Sequence, residues 1–217
     1  MGDLNLVTIL VIATNVIISY KGFKDRYFFD RYKFNAAAVK RGEKLRILSS
    51  GFLHVDTSHL FLNMLTLYFF ADVVIDSMGT IGFLLIYFAS LLVGNLLSYY
   101  FHKHDYSYNA VGASGAVSGI IYAAILLYPD MSLYLFLIPI PIPAYVFGIG
   151  YMLYSIYGMK RQLGNIGHDA HFGGAVGGYL LTLVLAPWIF TDHLLMVILL
   201  AIPIVLLFFL QKAGKIG

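Results

Sequence analysis

Cysteine is absent from the 217 residues. That excludes a disulfide framework and any thiolate metal site, and it leaves the compartment unread. Charge is scarce as well: Asp, Glu, Lys and Arg make up 12% of the chain, against 60% hydrophobic residues. A soluble domain carries about 25% charged residues. A chain this short cannot hide the deficit in a larger core, because it must still cover its surface. Lipid is therefore the expected solvent. The net charge of +3 is small, and the basic residues stand in loops beside apolar stretches, which fits lipid headgroups rather than nucleic acid. No low-complexity segment, repeat or polar terminal domain interrupts the pattern.

What is present is a series of long apolar runs. Crossing a hydrocarbon core of about 30 Å takes about 20 residues of helix, and backbone groups in lipid must be satisfied internally. On that yardstick the sequence holds about seven spans, near 4–20, 58–77, 80–101, 113–128, 142–158, 170–190 and 193–211. The expected fold is an all-α polytopic membrane helical bundle. The first span lacks a basic leader and a small-residue cleavage site, so it reads as a retained helix. Position 6 is Leu where N-myristoylation needs Ser or Thr, so Gly2 is not read as an acylation site. Residues 21–57 are too polar to cross but rich in Phe and Tyr, as expected of a loop lying in the membrane interface. The alternating prolines of residues 138–143 remove donors and fix φ, so they predict extended chain before a fifth span that starts late and runs short.

Ionisable and polar groups within apolar spans are costly, and are functional candidates for that reason. Three clusters qualify. His59 and Asn63 stand four apart at the start of the second span and share one helix face, with His54 just upstream. Gly112-Ala113-Ser114-Gly115 opens the fourth span, and His168-Asp169-Ala170-His171 opens the sixth. A serine hydroxyl is a weak nucleophile until a base takes its proton, and that base must come within about 3 Å. Small-xxx-small spacing lets membrane helices approach that closely. Gly115 and Gly119 supply it on the fourth span, Gly174 and Gly178 on the sixth. At a helix N-terminus Ser114 also has free N–H groups beside it, which can hold a developing oxyanion, and His59 and Asn63 can add donors.

Each cluster has a plainer reading when taken alone. The Gly/Ala/Ser run can be packing, the histidines a metal pair or loop residues, and Asn63 an interhelical hydrogen bond. Asp169, two residues from His171, faces elsewhere on one helix and reads as an N-cap-region residue rather than a third triad member. His168, about one turn above, reads as water-facing or loop-ordering. No His-Glu-x-x-His occurs, which disfavours a metalloprotease. A transporter or proton channel is hard to draw without mid-span charges.

Taken together, the clusters resemble the rhomboid family of intramembrane proteases. The resemblance runs from about Glu43 to Gly178 and includes the helix count. It rests on Gly112-x-Ser114-Gly115, on His171 with Gly174 and Gly178, and on His54, His59 and Asn63 in His-x-x-x-x-His-x-x-x-Asn. It implies a single membrane domain over 1–217, with a six-helix core near 43–190 and an extra C-terminal helix near 193–211. It implies a serine-type endopeptidase that cleaves transmembrane segments of other proteins. Ser114 would be the nucleophile and His171 the base of a dyad, with His59, Asn63 and the Ser114 N–H around the oxyanion. His54, Gly112, Gly115, Gly119, Gly174 and Gly178 would pack the site. No cofactor, metal or nucleic acid is implied; the partners would be transmembrane substrates and the bilayer.

Two departures stand out. Glu43-x-x-Arg46 matches the family's Glu-x-Trp-Arg element except that Leu45 replaces Trp. The aromatic that often stands four residues after the nucleophile, stacked on the catalytic His, is Ser118, so His171 must be oriented from elsewhere. A rhomboid-like protein that binds clients without cleaving them is the alternative, and the retention of Ser114 and His171 argues against it. Topology is in conflict. If the spans alternate, all 14 Lys and Arg share one side with the site, nine of them in residues 21–46. The charge rule makes that side cytoplasmic, whereas in bacterial rhomboids it faces out; the expected membrane is a bacterial cytoplasmic one.

Overall fold

The computed structural model describes residues 5–134, 140–161 and 166–216. The chain builds α1 (Leu6–Lys24), α2 (Arg26–Tyr32), α3 (Ala36–Lys40), α4 (Leu45–Ser49), α5 (Thr57–His102), α6 (Ser114–Leu127), α7 (Ala144–Arg161), α8 (His168–Leu185), α9 (Ile189–Asp192) and α10 (Leu194–Lys212). Two antiparallel pairs of two-residue strands tie loops together. β1 (Phe34–Asn35) pairs with β2 (Asn109–Ala110), and β3 (Ser132–Leu133) with β4 (Ile142–Pro143). This is the expected all-α bundle. α1, α5 and α10 are long and apolar enough on their own to cross a membrane, and the chain is an integral, multi-pass membrane protein.

α5 accounts for two of the expected spans. Its 46 residues would reach about 69 Å if straight, twice a hydrocarbon core. It breaks at Gly79, whose φ of 68° lies where only glycine is comfortable. The two halves double back. Near the start of α5, His59 adjoins Gly112, and at its end His102 reaches Asp169 on α8, so both ends lie at the site end of the bundle.

The remaining spans match with shifted ends. α1 runs on to Lys24. α7 begins directly after Pro143, as the prolines require, but continues to Arg161 and is not short. Of the proline run, residues 138 and 139 lie outside the described residues, and 142–143 form β4. The sixth span ends at Leu185, because Pro187 disfavours helix at the residue before it, and the separate α9 follows. The first loop is not bare interfacial chain. It folds into α2, α3 and α4, each short, with Asp25 and Asn35 capping the first two.

α6 lies at the centre. Every residue after Ser114 in it is buried, enclosed by α5 and α8. At 14 residues it rises about 21 Å, less than a hydrocarbon core, so at least one of its ends stops within the membrane. By contrast α10 turns Leu195, Ile198, Ile202, Phe208 and Phe209 outward, as a lipid-facing helix does.

Candidate active site

Small residues bring α5, α6 and α8 together backbone to backbone. A Cβ on Gly174 would strike the Gly115 carbonyl, and one on Gly178 would strike Gly119. A Cβ on Gly115 would lie 3.2 Å from the Ala170 carbonyl oxygen, and Gly119 faces Ser90 of α5. The paired glycines thus meet across the helices, as their spacing predicts. Ser114 and His171 are the chain neighbours of Gly115 and Ala170, so this contact carries the serine and the histidine to one place. Among the described residues, however, no hydrogen bond joins Ser114 to His171. Catalytic hydrogen bonds are often long without substrate and tighten on binding.

Ser114 opens α6 after Ala113, with no side-chain cap, so the first N–H groups of the helix are left for another acceptor. Gly112 sets the turn before it. Its φ is 132°, and a Cβ there would lie 2.7 Å from His59 Cε1, 3.0 Å from His59 Nε2 and 3.5 Å from Ser114 Oγ. His59 Nε2 and the Ser114 hydroxyl therefore converge on the space that only glycine leaves open. Asp56 caps α5, accepting from the His59 N–H at 2.8 Å, and so fixes His59 in the first turn. Asn63 is placed less directly: its amide donates to the His59 carbonyl oxygen at 3.0 Å, leaving one amide hydrogen uncommitted.

His54 is fully buried and braces the turn. Its Nδ1 lies 2.8 Å from Ser19 Oγ on α1, and its Nε2 accepts from the Ala113 N–H at 3.3 Å. Ser19 also donates to the Phe52 carbonyl oxygen, so the single hydroxyl hydrogen is used there and Nδ1 carries the imidazole proton. The chain from Ser19 through His54 to Ala113 ties α1 to the residue before Ser114.

One expectation is corrected here. His168 is not water-facing: it is 3% exposed, against Gly158 and the Tyr154 ring of α7. Asp169 stands in the first turn of α8, within the N-cap region as expected. Its carboxylate takes the Tyr108 hydroxyl at 3.3 Å and lies 3.3 Å from His102 Nε2. The His102 and Tyr108 rings stack, 3.6 Å apart, and Asp169 so fastens α8 to the end of α5 and to the segment leading to Gly112.

The first loop is built on Arg46. It bonds Glu43 at 2.8 Å and the Asp30 and Lys33 carbonyl oxygens at 2.8 and 3.0 Å, and the Arg46 hydrogen bond holds the Glu43 carboxyl below its usual range. Leu45, in place of Trp, is 62% exposed. Tyr151 is a site residue that does not stand out in the sequence. Its ring stacks on His171 with centroids 5.8 Å apart and planes 23° apart. The signal was available in the aromatic missing at Ser118 and in Phe147, Tyr151, Tyr154 and Gly158, which repeat at helical spacing along α7. Of the two-residue strands, β4 falls in the proline run read as extended chain, and the other three left no signal.

Among the described residues no group of three or more His, Cys, Asp or Glu is placed to hold a metal ion. The chemistry available is a hydroxyl, an imidazole and a set of N–H donors.

Comparison with known proteins gives a consistent answer. Residues 41–188 match the model of the Rhomboid domain. The chain is similar to RHOMBOID-like protein 12, mitochondrial, of Arabidopsis thaliana, 30% identical over 81% of this chain and 56% of that one. It is similar to Rhomboid protein 1, mitochondrial, of Saccharomyces cerevisiae, 30% identical over 63% of this chain and 40% of that one. It is also similar to Rhomboid protease GluP of Bacillus subtilis, 32% identical over 65% of this chain and 26% of that one. The chain thus spans about half or less of the length of these relatives. A Rhomboid-domain match over most of the chain, on a bundle whose glycines bring Ser114 and His171 together, establishes that the chain belongs to the rhomboid family.

Proposed function

We propose that this chain is an intramembrane serine endopeptidase that hydrolyses a peptide bond in or near a transmembrane segment of another membrane protein. The observation that carries the reading is the uncapped start of α6, where Ser114 and His59 Nε2 converge around Gly112 while α8 sets Ala170, the residue before His171, against Gly115. Ser114 Oγ attacks the carbonyl carbon, and His171 takes its proton. The oxyanion accepts from the Ser114 N–H and from His59 Nε2–H, and Asn63 adds its uncommitted amide hydrogen. His171 then protonates the leaving amine, and water, activated by the same imidazole, releases the acyl group. Oxyanion donors of this kind are each worth about 10²–10³ in kcat. The roles given to the packing glycines and His54, and the treatment of 1–217 as one domain, belong to this proposal.

The test is cleavage of a model single-span substrate by the purified protein in detergent. Ser114→Ala and His171→Ala should each lower kcat by about 10⁴-fold or more, with circular dichroism unchanged and EDTA without effect. Cleavage persisting in either variant would sink the dyad, and inhibition by EDTA would point to a metal at His168 and His171. A second reading, a rhomboid-like protein that holds membrane clients without cutting them, is favoured by one observation: the absence of a direct Ser114–His171 hydrogen bond among the described residues. Binding of the same substrate with no turnover by the wild type would select it.

We also propose the orientation that places the site on the outer face. The first-loop charge is engaged in folded structure, which weakens it as a translocation signal. Arg26 and Lys33 pair with Asp30, Arg41 and Arg46 with Glu43, and Lys21 and Lys40 lie over aromatic rings. An alkaline-phosphatase fusion after residue 40, expressed in bacteria, should be active; a silent fusion places the site on the cytoplasmic face. The relatives include mitochondrial as well as Bacillus proteins, and the mitochondrial ones give no support to a bacterial cytoplasmic membrane as the native one.

A further inference from the structure

The base of a serine dyad must be held at one angle, and among the described residues no carboxylate is hydrogen-bonded to His171, since Asp169 is engaged by Tyr108 and His102. The position four residues after Ser114 is Ser118, too short to reach the imidazole face. The structure fills that face from another helix. Tyr151 of α7 lays its ring over His171 at 5.8 Å and 23°, within the range of offset stacking. Its hydroxyl lies 2.9 Å from Ser118 Oγ. Ser118 Oγ in turn donates to the Ser114 carbonyl oxygen at 2.7 Å, which uses its one hydrogen, so the Tyr151 hydroxyl is the donor to Ser118. Phe147 stacks on Tyr151 along α7, with planes 8° apart. The Tyr151 ring is therefore held by a neighbouring ring and, through its hydroxyl, by Ser118 on the helix that begins with Ser114.

We propose that Tyr151, hydrogen-bonded to Ser118, is the positioning residue that orients His171. The proposal deepens the protease reading and rests on it. The ring does two things. It removes one rotational option from an imidazole that lacks an acid partner. It also presents a π face to the imidazolium formed when His171 takes the Ser114 proton, and a cation within about 6 Å of a ring centroid is attracted. That attraction is stronger in the transition state than in the ground state, so its loss is read in kcat. Ser118 is then the anchor that makes an aromatic from α7 serve in place of one on α6.

The test uses the 217-residue chain in detergent with the model substrate, and ¹³C-labelled histidine for NMR. Tyr151→Leu should lower kcat about 10- to 100-fold, as a small misplacement of a reacting group does, with KM within about twofold. Tyr151→Phe keeps the ring and loses the hydroxyl, and should cost only a few-fold. Ser118→Tyr combined with Tyr151→Ala returns an aromatic to α6 and should recover most of the loss, which a general folding defect would not allow. The His171 Cε1–H resonance should lose its ring-current shift in Tyr151→Leu and regain it in the double variant. A Tyr151→Leu protein with normal kcat, or with a raised KM alone, overturns the inference. So does a His171 resonance that the substitution leaves unmoved. Because the NMR measurement needs no turnover, a wild type that failed to cleave would count against the protease reading while the orientation of His171 was still decided.

Discussion

Of the helices packed against the His171 end of α8, α6 and α7 touch it in different ways. Against α6 it packs backbone on backbone: Gly174 on Gly115 and Gly178 on Gly119 leave no room for a methyl group. Against α7 it packs side chain on side chain: Tyr151 on His171 and Tyr154 on His168. The first contact is rigid and sets how far His171 stands from Ser114. The second can adjust by rotamer and sets the direction in which the imidazole points. Separation and direction are thus assigned to different helices, and a change at one should be distinguishable from a change at the other.

The same chemical change, Gly to Ala, separates the two contacts. The largest effect is expected at Gly178. A Cβ there would meet the Gly119 carbonyl group and Cα, and backbone cannot turn aside as a side chain can, so the helices must part. Overpacking of this kind costs about 1–3 kcal/mol, and a shift of about 1 Å at the dyad costs about 100-fold in rate. Gly178→Ala should therefore lower both the thermal midpoint in detergent and kcat, with His171 still stacked on Tyr151 by NMR. Retention of full activity would mean that the α6–α8 contact does not set the dyad separation.

How much of this was legible in the sequence follows the same division. The glycine pairs were readable because spacing alone decides which residues face a neighbour, and the polar residues at the starts of three spans stood out against lipid. Gly79 marks the turn inside α5, and the prolines placed the start of α7. What could not be read depends on which helices become neighbours. Ser19 meeting His54 across 35 residues, Asp169 taken by Tyr108 and His102, and Tyr151 lying over His171 are all long-range choices of the packed bundle. His168 was misplaced for the same reason. A histidine at a helix start looks water-facing until α7, with Gly158 making room, covers it. Ser118 shows in the sequence that an aromatic is missing from α6, but nothing local names the helix that supplies one.

The smaller effects belong to α7, and two glycines on it sharpen the contrast. The three atoms nearest a Cβ on Gly158 all belong to the His168 imidazole, the far end of a side chain. Gly158→Ala should displace that ring and, through its edge contact with His171 at 6.3 Å, disturb the base modestly. A loss of activity below about 10-fold is expected, with a smaller drop in thermal midpoint than for Gly178→Ala. At Gly150 nothing lies within 4 Å of an added Cβ, and φ there is not in the left-handed region. Gly150→Ala should stabilise the protein by about 0.4–1 kcal/mol, because alanine has less freedom to lose from the unfolded chain, with kcat unchanged. If Gly158→Ala proved as damaging as Gly178→Ala while Gly150→Ala behaved as expected, the side-chain contact on α7 would be as rigid as the backbone contact on α6. The assignment of separation to one helix and direction to the other would then fail.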